Sequence, residues 1–152
     1  MASQYDVFEP GDSTALVAFD QPRHAEVVSK QLTAIDYKVH GTDSYEELII
    51  QIKTHQYDLV VVQADYAGWR PEENEILTTL CRLPAEIRRS EYVVLMGEAL
   101  PTNDEMLAFI YSVDLVFDYA DMTTFKAVLR RGLARHADFY RVFREVLNSP
   151  RR

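Results

Sequence analysis

Two carboxylates lie where a strand would deliver them to solvent. Asp20 directly follows the apolar run Thr14–Phe19 (TALVAF), and Asp65 comes shortly after the run Tyr57–Val62 (YDLVVV). A carboxylate so placed either caps a loop or helix or takes part in chemistry at the strand end. Other chemistry is thinly supplied. His24, His40, His55 and His136 lie far apart, and neither they nor Cys81 have the spacing of zinc ligands. Gly11, Gly41, Gly68, Gly97 and Gly132 are scattered, without a Gly-x-Gly-x-x-Gly or Walker-type Gly-Lys-Ser/Thr motif. The turn Asp20-Gln21-Pro22-Arg23 lacks the hydroxyl-rich loop that would hold a flavin phosphate. Cys81 falls inside a helical pattern with no base beside it and reads as packing. Enzymatic activity is therefore not expected.

The elements that must position these groups follow from periodicity. Residues 1–13 read as an N-terminal arm and 14–152 as one domain. Thr14–Phe19 is a buried strand. Pro22 opens a helix with the stripe Ala25, Val28, Leu32 and Ile35. A short strand follows at Tyr37–His40, then Ser44 and Glu47 form a capping box for a helix through Leu48, Ile49 and Ile52. Tyr57–Val62 is the clearest strand. A helix is expected over Glu72–Arg82 with Pro84 near its end, then a strand at Tyr92–Met96. Thr102 and Glu105 read as a second capping box, opening a helix through Met106, Phe109 and Ile110. Asp114–Tyr119 is the fifth strand, and a long helix runs from about Asp121 to Leu147. Near-continuously apolar strands alternating with helices belong to a parallel sheet covered on both faces. The expectation is a doubly wound, flavodoxin-like α/β fold with five parallel strands in the order 2-1-3-4-5 and an extended C-terminal helix. Functional residues then gather at the strands' C-terminal ends: Phe19-Asp20, Gln63 to Asp65, Gly97-Glu98 and Tyr119.

Composition narrows the class. The 152 residues are 47% hydrophobic and 26% charged, ordinary for one globular domain. A single cysteine cannot form an internal disulfide, which points to a reducing cytoplasm. No apolar run approaches the roughly 18 residues of a membrane span, and no signal-peptide pattern opens the chain. The net charge of -8 speaks against nucleic acid as a partner. That charge is uneven. Residues 1–121 hold 22 Asp/Glu and 8 Lys/Arg, a net of -14, whereas residues 122–152 hold 2 and 8, a net of +6. The arginines either line a solvated helix face or meet an acidic partner.

Two segments carry a resemblance to the receiver domain of bacterial response regulators, over roughly residues 14–131. DYKVHGTDSYEEL (Asp36–Leu48) is similar to the receiver pattern of Gly-Tyr, an alternating strand, a small-residue turn and Glu-Glu-Ala-Leu. YDLVVV follows at the usual interval and is similar to the family's Tyr-Asp-Leu-Val-Leu-Leu. The resemblance implies five working positions. Two acids after the first strand hold Mg2+, an Asp after the third attacks a phosphoryl donor, and a Thr/Ser after the fourth and a Lys after the fifth sense the phosphoryl oxygens. In this chain those positions are Phe19, Asp20, Gln63, Gly97 and Tyr119, and only Asp20 keeps its type. One carboxylate would face a cation that demands near-octahedral oxygen coordination, and phosphoryl transfer depends on that metal. The resemblance therefore implies a degenerate pseudo-receiver without a cofactor, in which Mg2+ binding is not expected. Asp65 remains an alternative acceptor, because the following helix (Ile76, Leu77, Leu80, Arg82) lies at nearly the family spacing from it. Its other reading is a loop cap. Asp20, in Asp-x-Pro at a strand-to-helix junction, reads as an N-cap.

Receiver domains commonly bind partners or dimerise through the face of their fourth helix, fifth strand and fifth helix. Here the last helix is unusually long, about 27 residues or roughly 40 Å. Its apolar stripe continues through Phe139 or Tyr140, Phe143, Val146 and Leu147 at spacings of three and four. Burying a large apolar side chain is worth about 1.5–3 kcal/mol, so these residues are expected under cover of the domain, the arm, a second copy or a partner. Tyr66 and Trp69 form a second candidate surface, as a binding hot spot or a lid over the pocket. The expected function is a cytoplasmic, receiver-like signalling module that contacts a signalling protein or neighbouring domain, without the usual aspartyl phosphorylation. The alternatives are a working phospho-receiver in a two-component phosphorelay using Asp65, and a small-ligand sensor.

Overall fold

The computed structural model describes residues 7–148 and the backbone of Gln4 and Tyr5. Among the described residues the sheet has six strands: β1 (Gln4–Tyr5), β2 (Ser13–Ala18), β3 (Tyr37–Gly41), β4 (Leu59–Gln63), β5 (Tyr92–Gly97) and β6 (Leu115–Asp118). β2 to β6 are all parallel and lie in the order β3-β2-β4-β5-β6, which is 2-1-3-4-5 for the parallel strands. The fold is the doubly wound, flavodoxin-like α/β architecture. β1 adds an antiparallel edge to β3, with Gln4 opposite Gly41 and Tyr5 opposite His40. Phe8 then lays its ring on His40, with centroids 3.9 Å apart. The segment read as an arm thus covers the exposed edge of β3, an edge that would otherwise present unpaired backbone groups.

Among the described residues six α-helices complete the layers: α1 (Pro22–Ala34), α2 (Tyr45–Thr54), α3 (Glu75–Cys81), α4 (Ala85–Ser90), α5 (Glu105–Tyr111) and α6 (Phe125–Leu147). The side chains of β4 show how the layers form. Val61 faces a core with Val28 and Leu32 of α1 and Phe125 and Leu129 of α6. Val60 and Val62 face the opposite core, with Leu48 of α2, Ile76 of α3 and Ala108 of α5. Both faces being buried, the strand needs no polar alternation.

Several local expectations change. α3 begins at Glu75 rather than Glu72, because Asn74 caps it by accepting from Ile76 N and Leu77 N, and Pro71–Glu73 forms a separate 3-10 turn. Pro84 opens α4, a helix the sequence did not reveal. Cys81 is exposed at the end of α3 and does not pack. The cap of α5 is Asp104, which accepts from Leu107 N. Thr102 instead accepts from Asp118 N at 2.8 Å and donates to Asp121 Oδ2 at 2.6 Å, joining the loops after β5 and β6. Only half of the Ser44–Glu47 box forms: Ser44 Oγ accepts from Glu47 N, while the Glu47 carboxylate accepts from Thr42 Oγ1. Met106, Phe109 and Ile110 lie on the solvent side of α5. α6 starts at Phe125, since Tyr119–Thr124 turns as 3-10 helix under the Asp118 cap. No helix among the described residues is long and apolar enough to cross a membrane.

Candidate functional site

The parallel register brings the C-terminal ends of β2, β4, β5 and β6 together, with Val62 opposite Leu95 and Gly97 opposite Asp118. Phe19, Gln63, Gly97 and Tyr119 line one cavity there, of about 240 Å³, with His24, Asp65 and Glu98 also on its wall. Phe19 follows β2 and is buried in the α1/α6 core, where its ring supplies no ligand atom. Gln63 ends β4 and is 3% exposed. Its Oε1 accepts from Asp20 N at 2.9 Å and Gln21 N at 3.2 Å, and its Nε2 donates to Asp65 Oδ1 at 3.0 Å. One neutral amide therefore ties the loop after β2 to the loop after β4.

Asp20 does not cap α1, whose N-cap is Gln21 without a side-chain bond. Its carboxylate crosses to the next loop and accepts from Ala67 N at 2.7 Å. That amide is turned toward it because Ala67 and Gly68 both take left-handed backbone angles, with φ of 56° and 76°. Asp65 is exposed, at the start of the same loop. Gly97 is closed in as well: a Cβ at this position would lie 3.0 Å from Ala64 Cβ and 3.3 Å from Leu100 Cδ1. Any hydroxyl-bearing residue there must displace its neighbours. Tyr119 stacks on His24, with centroids 3.7 Å apart, and partial burial pushes its phenol above the usual range.

Asn74 and His24 are the residues that sequence reasoning missed. Asn74 is 1% exposed and donates from Nδ2 to the carbonyls of Gln63 and Ala64 while its Oδ1 caps α3, so it fixes the backbone under Gln63. Its signal was an Asn directly before Glu75-Ile76, a favourable N-cap. Among the described residues no group of three or more His, Cys, Asp or Glu side chains is arranged to hold a metal ion.

The two aromatic surfaces divide differently from the expectation. Tyr66 is buried, 3% exposed, beneath Tyr45 and Trp69, so it offers no contact surface. Burial, and then the charge of Asp20, raises its phenol pKa. Trp69 is half-buried and meets Tyr45 edge-on. On α6, Tyr140 and Phe143 are partly covered, with Arg89 of α4 over the Phe143 ring at 4.9 Å. Phe139 and Leu147 are 74% and 65% exposed.

No protein-family profile and no curated protein sequence matches this chain. Solved structures do match in fold, and several of them are response-regulator receiver domains. One is the signal receiver domain of a DNA-binding response regulator from Colwellia psychrerythraea: TM-score 0.58, 16% identity, 78% of this chain and 99% of that one covered. The receiver domain of the Francisella response regulator 1452 aligns with a TM-score of 0.62 and 14% identity over 82% of this chain and 98% of its own. A CheY-like receiver domain protein from Methanospirillum hungatei gives 0.61 and 10% identity over 84% and 98%.

Proposed function

We propose that this protein is a receiver-like signalling module that works by protein contact and does not use the usual aspartyl phosphorylation. Gln63 carries the reading. At the position where the resemblance places the phospho-acceptor, it offers a neutral amide whose oxygen and nitrogen are both engaged with the protein itself. An amide has no carboxylate to attack a phosphoryl donor, and this one already holds the loops that a metal would otherwise bridge.

The residues present do not fit Mg2+. That ion wants near-octahedral oxygen donors, chiefly carboxylates and waters. Phe19 offers no oxygen, the Asp20 carboxylate is spent on Ala67 N, and the Gln63 oxygen points at two N–H groups. Tyr119 stands where the resemblance places the lysine, and its phenol brings no positive charge to a transferring phosphoryl group. The module instead keeps one loop arrangement and presents surfaces. The cytoplasm suits it, because Cys81 is exposed and unpaired.

The test is intact mass after incubation with Mg2+ and acetyl phosphate, with Asp65→Asn alongside. No adduct is expected. A phosphate adduct lost in Asp65→Asn would overturn the reading and make Asp65, which borders the cavity, the acceptor of a working phospho-receiver.

A further inference from the structure

The groove between α4 and the distal half of α6 lies where the strands begin, at the opposite end of the sheet from Gln63. It has a volume of about 350 Å³, and Arg89, Asp114, His136, Phe139, Tyr140 and Phe143 are among its walls. His136 Nε2 lies 3.0 Å from the Arg89 carbonyl oxygen, which holds α6 against α4. Asp114 is already committed, accepting from Val93 N at 2.8 Å and pairing with Arg88. The unspent chemistry is cationic and apolar. The Arg89 guanidinium lies over Phe143 at 4.9 Å and the Arg144 guanidinium over Tyr140 at 4.7 Å. Among the described residues neither faces a carboxylate within ion-pair distance. A guanidinium is a planar fork of N–H donors, a geometry that suits a carboxylate. Phe139, 74% exposed, stands beside them.

We propose that this groove docks an acidic peptide segment of a partner protein, with carboxylates on Arg89 in its wall and on Arg144 over the Tyr140 ring at its rim, and an apolar anchor against Phe139. This names the partner chemistry for the contact-based function and rests on that reading. Charge selects the occupant. Residues 122–152 carry a net +6, which attracts an acidic segment. Residues 1–121 carry a net -14, so a phosphate polymer long enough to leave the groove runs onto like charge, whereas a short peptide does not. A second copy docked α6 to α6 would set arginine against arginine.

The probe is a fluorescein-labelled peptide of about fourteen residues, with Leu and Phe at helical spacing and Glu at the remaining positions. It is titrated by anisotropy with the full chain, beside the same peptide carrying Lys for Glu and a labelled single-stranded oligonucleotide. The acidic peptide is expected to bind saturably and to weaken with salt, while the other two do not bind. Arg89→Glu with Arg144→Glu should weaken binding by at least about tenfold, and Phe139→Ser by about fivefold. All three side chains are exposed, so circular dichroism and Tm should not change. No binding of the acidic peptide, binding indifferent to the double reversal, or preference for the oligonucleotide would overturn the proposal. So would concentration-dependent dimerisation abolished by Phe139→Ser, which would assign the face to a second copy. The two readings fail separately: a phosphate adduct sinks the contact-only function, whereas a silent titration in unmodified protein sinks only the groove.

Discussion

Replacing Gln63 by Leu tests the clamp that replaces charge at the candidate site. The side chain is 3% exposed, so Leu fills nearly the same volume and the change isolates the polar atoms. Three hydrogen bonds disappear: from Asp20 N, from Gln21 N and to Asp65 Oδ1. Each is worth about 1 kcal/mol net, and a backbone N–H left dry costs about 1–3 kcal/mol. Water from the adjoining cavity can rescue one of the two N–H groups, and the added apolar burial returns part of the loss. The expected net is about 2–3 kcal/mol, or a fall in Tm of roughly 5–10 °C for a chain of this length. Amide exchange at Asp20 and Gln21 should accelerate while the β4 and β5 amides stay protected. Gln63→Glu is the companion. It keeps an acceptor for both N–H groups but turns a second carboxylate oxygen toward Asp65 Oδ1, 3.0 Å from where Nε2 stood. Two ionised carboxylates at that distance repel, so this variant should lose stability relative to wild type as rising pH ionises both. Excess Mg2+ should leave the wild-type Tm unchanged. A Leu variant within 1 °C of wild type, with unchanged exchange at Asp20 and Gln21, would refute the clamp.

Two further outcomes follow from buried contacts elsewhere. Glu91 is 1% exposed, and burial pushes its carboxyl up to about 7, opposed by the hydrogen bond from Tyr57 N and by Arg88. The folded chain therefore holds a proton that the unfolded chain releases near 4.5, and stability should fall as pH rises from about 4.5 to 7. Glu91→Gln should flatten that slope, gaining of order 2 kcal/mol relative to wild type at pH 8 in urea melts; parallel slopes for the two proteins would contradict it. Phe8→Ala removes the ring stacked on His40 and should cost about 1–2 kcal/mol. Cleavage within residues 1–12 by limited proteolysis should speed up, and an unchanged cleavage rate would show that the ring does not hold the strand edge.

The fold was legible because strands buried on both faces leave continuous apolar runs, and YDLVVV and YVVLM are such runs. What the sequence concealed depends on partners distant along the chain. Asp-x-Pro at Asp20 satisfies the local rule for a helix cap, yet the Ala67 amide, 47 residues on, takes the carboxylate. Thr102 has cap chemistry at the right spacing, but Asp118 N and Asp121 compete for its hydroxyl, and Asp104 caps instead. α4 was hidden because its six residues give too little periodicity, and only Ile87 offers a partly covered apolar side chain. Tyr66 looked like loop surface because nothing local shows that Tyr45, on α2, comes to lie beside it. The position of Gln63 was readable from strand order, whereas its three bonds required the neighbouring loops to be in place.

The ends of the sheet divide the electrostatics between them. Where the strands begin, the residue directly before each of β4, β5 and β6 is an acid that accepts a backbone N–H across the sheet: Asp58 from Thr14, Glu91 from Tyr57, and Asp114 from Val93. Arg88 binds this row together, donating to the carbonyls of Glu91 and Ser112 and pairing with Asp114. Where the strands finish, Gln63 makes the equivalent cross-sheet connection with no charge at all. The clamp residue itself carries no titratable group, although His24, Asp65 and Glu98 share the cavity wall. Within the row Glu91 does respond, because burial pushes its carboxyl up to about 7; it lies beside Arg88, which adjoins Arg89 on the wall of the α4–α6 groove. Arg88 donates to the Glu91 backbone carbonyl, so a proton on the Glu91 carboxyl changes the charge that Arg88 faces and leaves that hydrogen bond in place. The end where the strands begin is therefore an end of the sheet where pH acts, beside the α4–α6 groove.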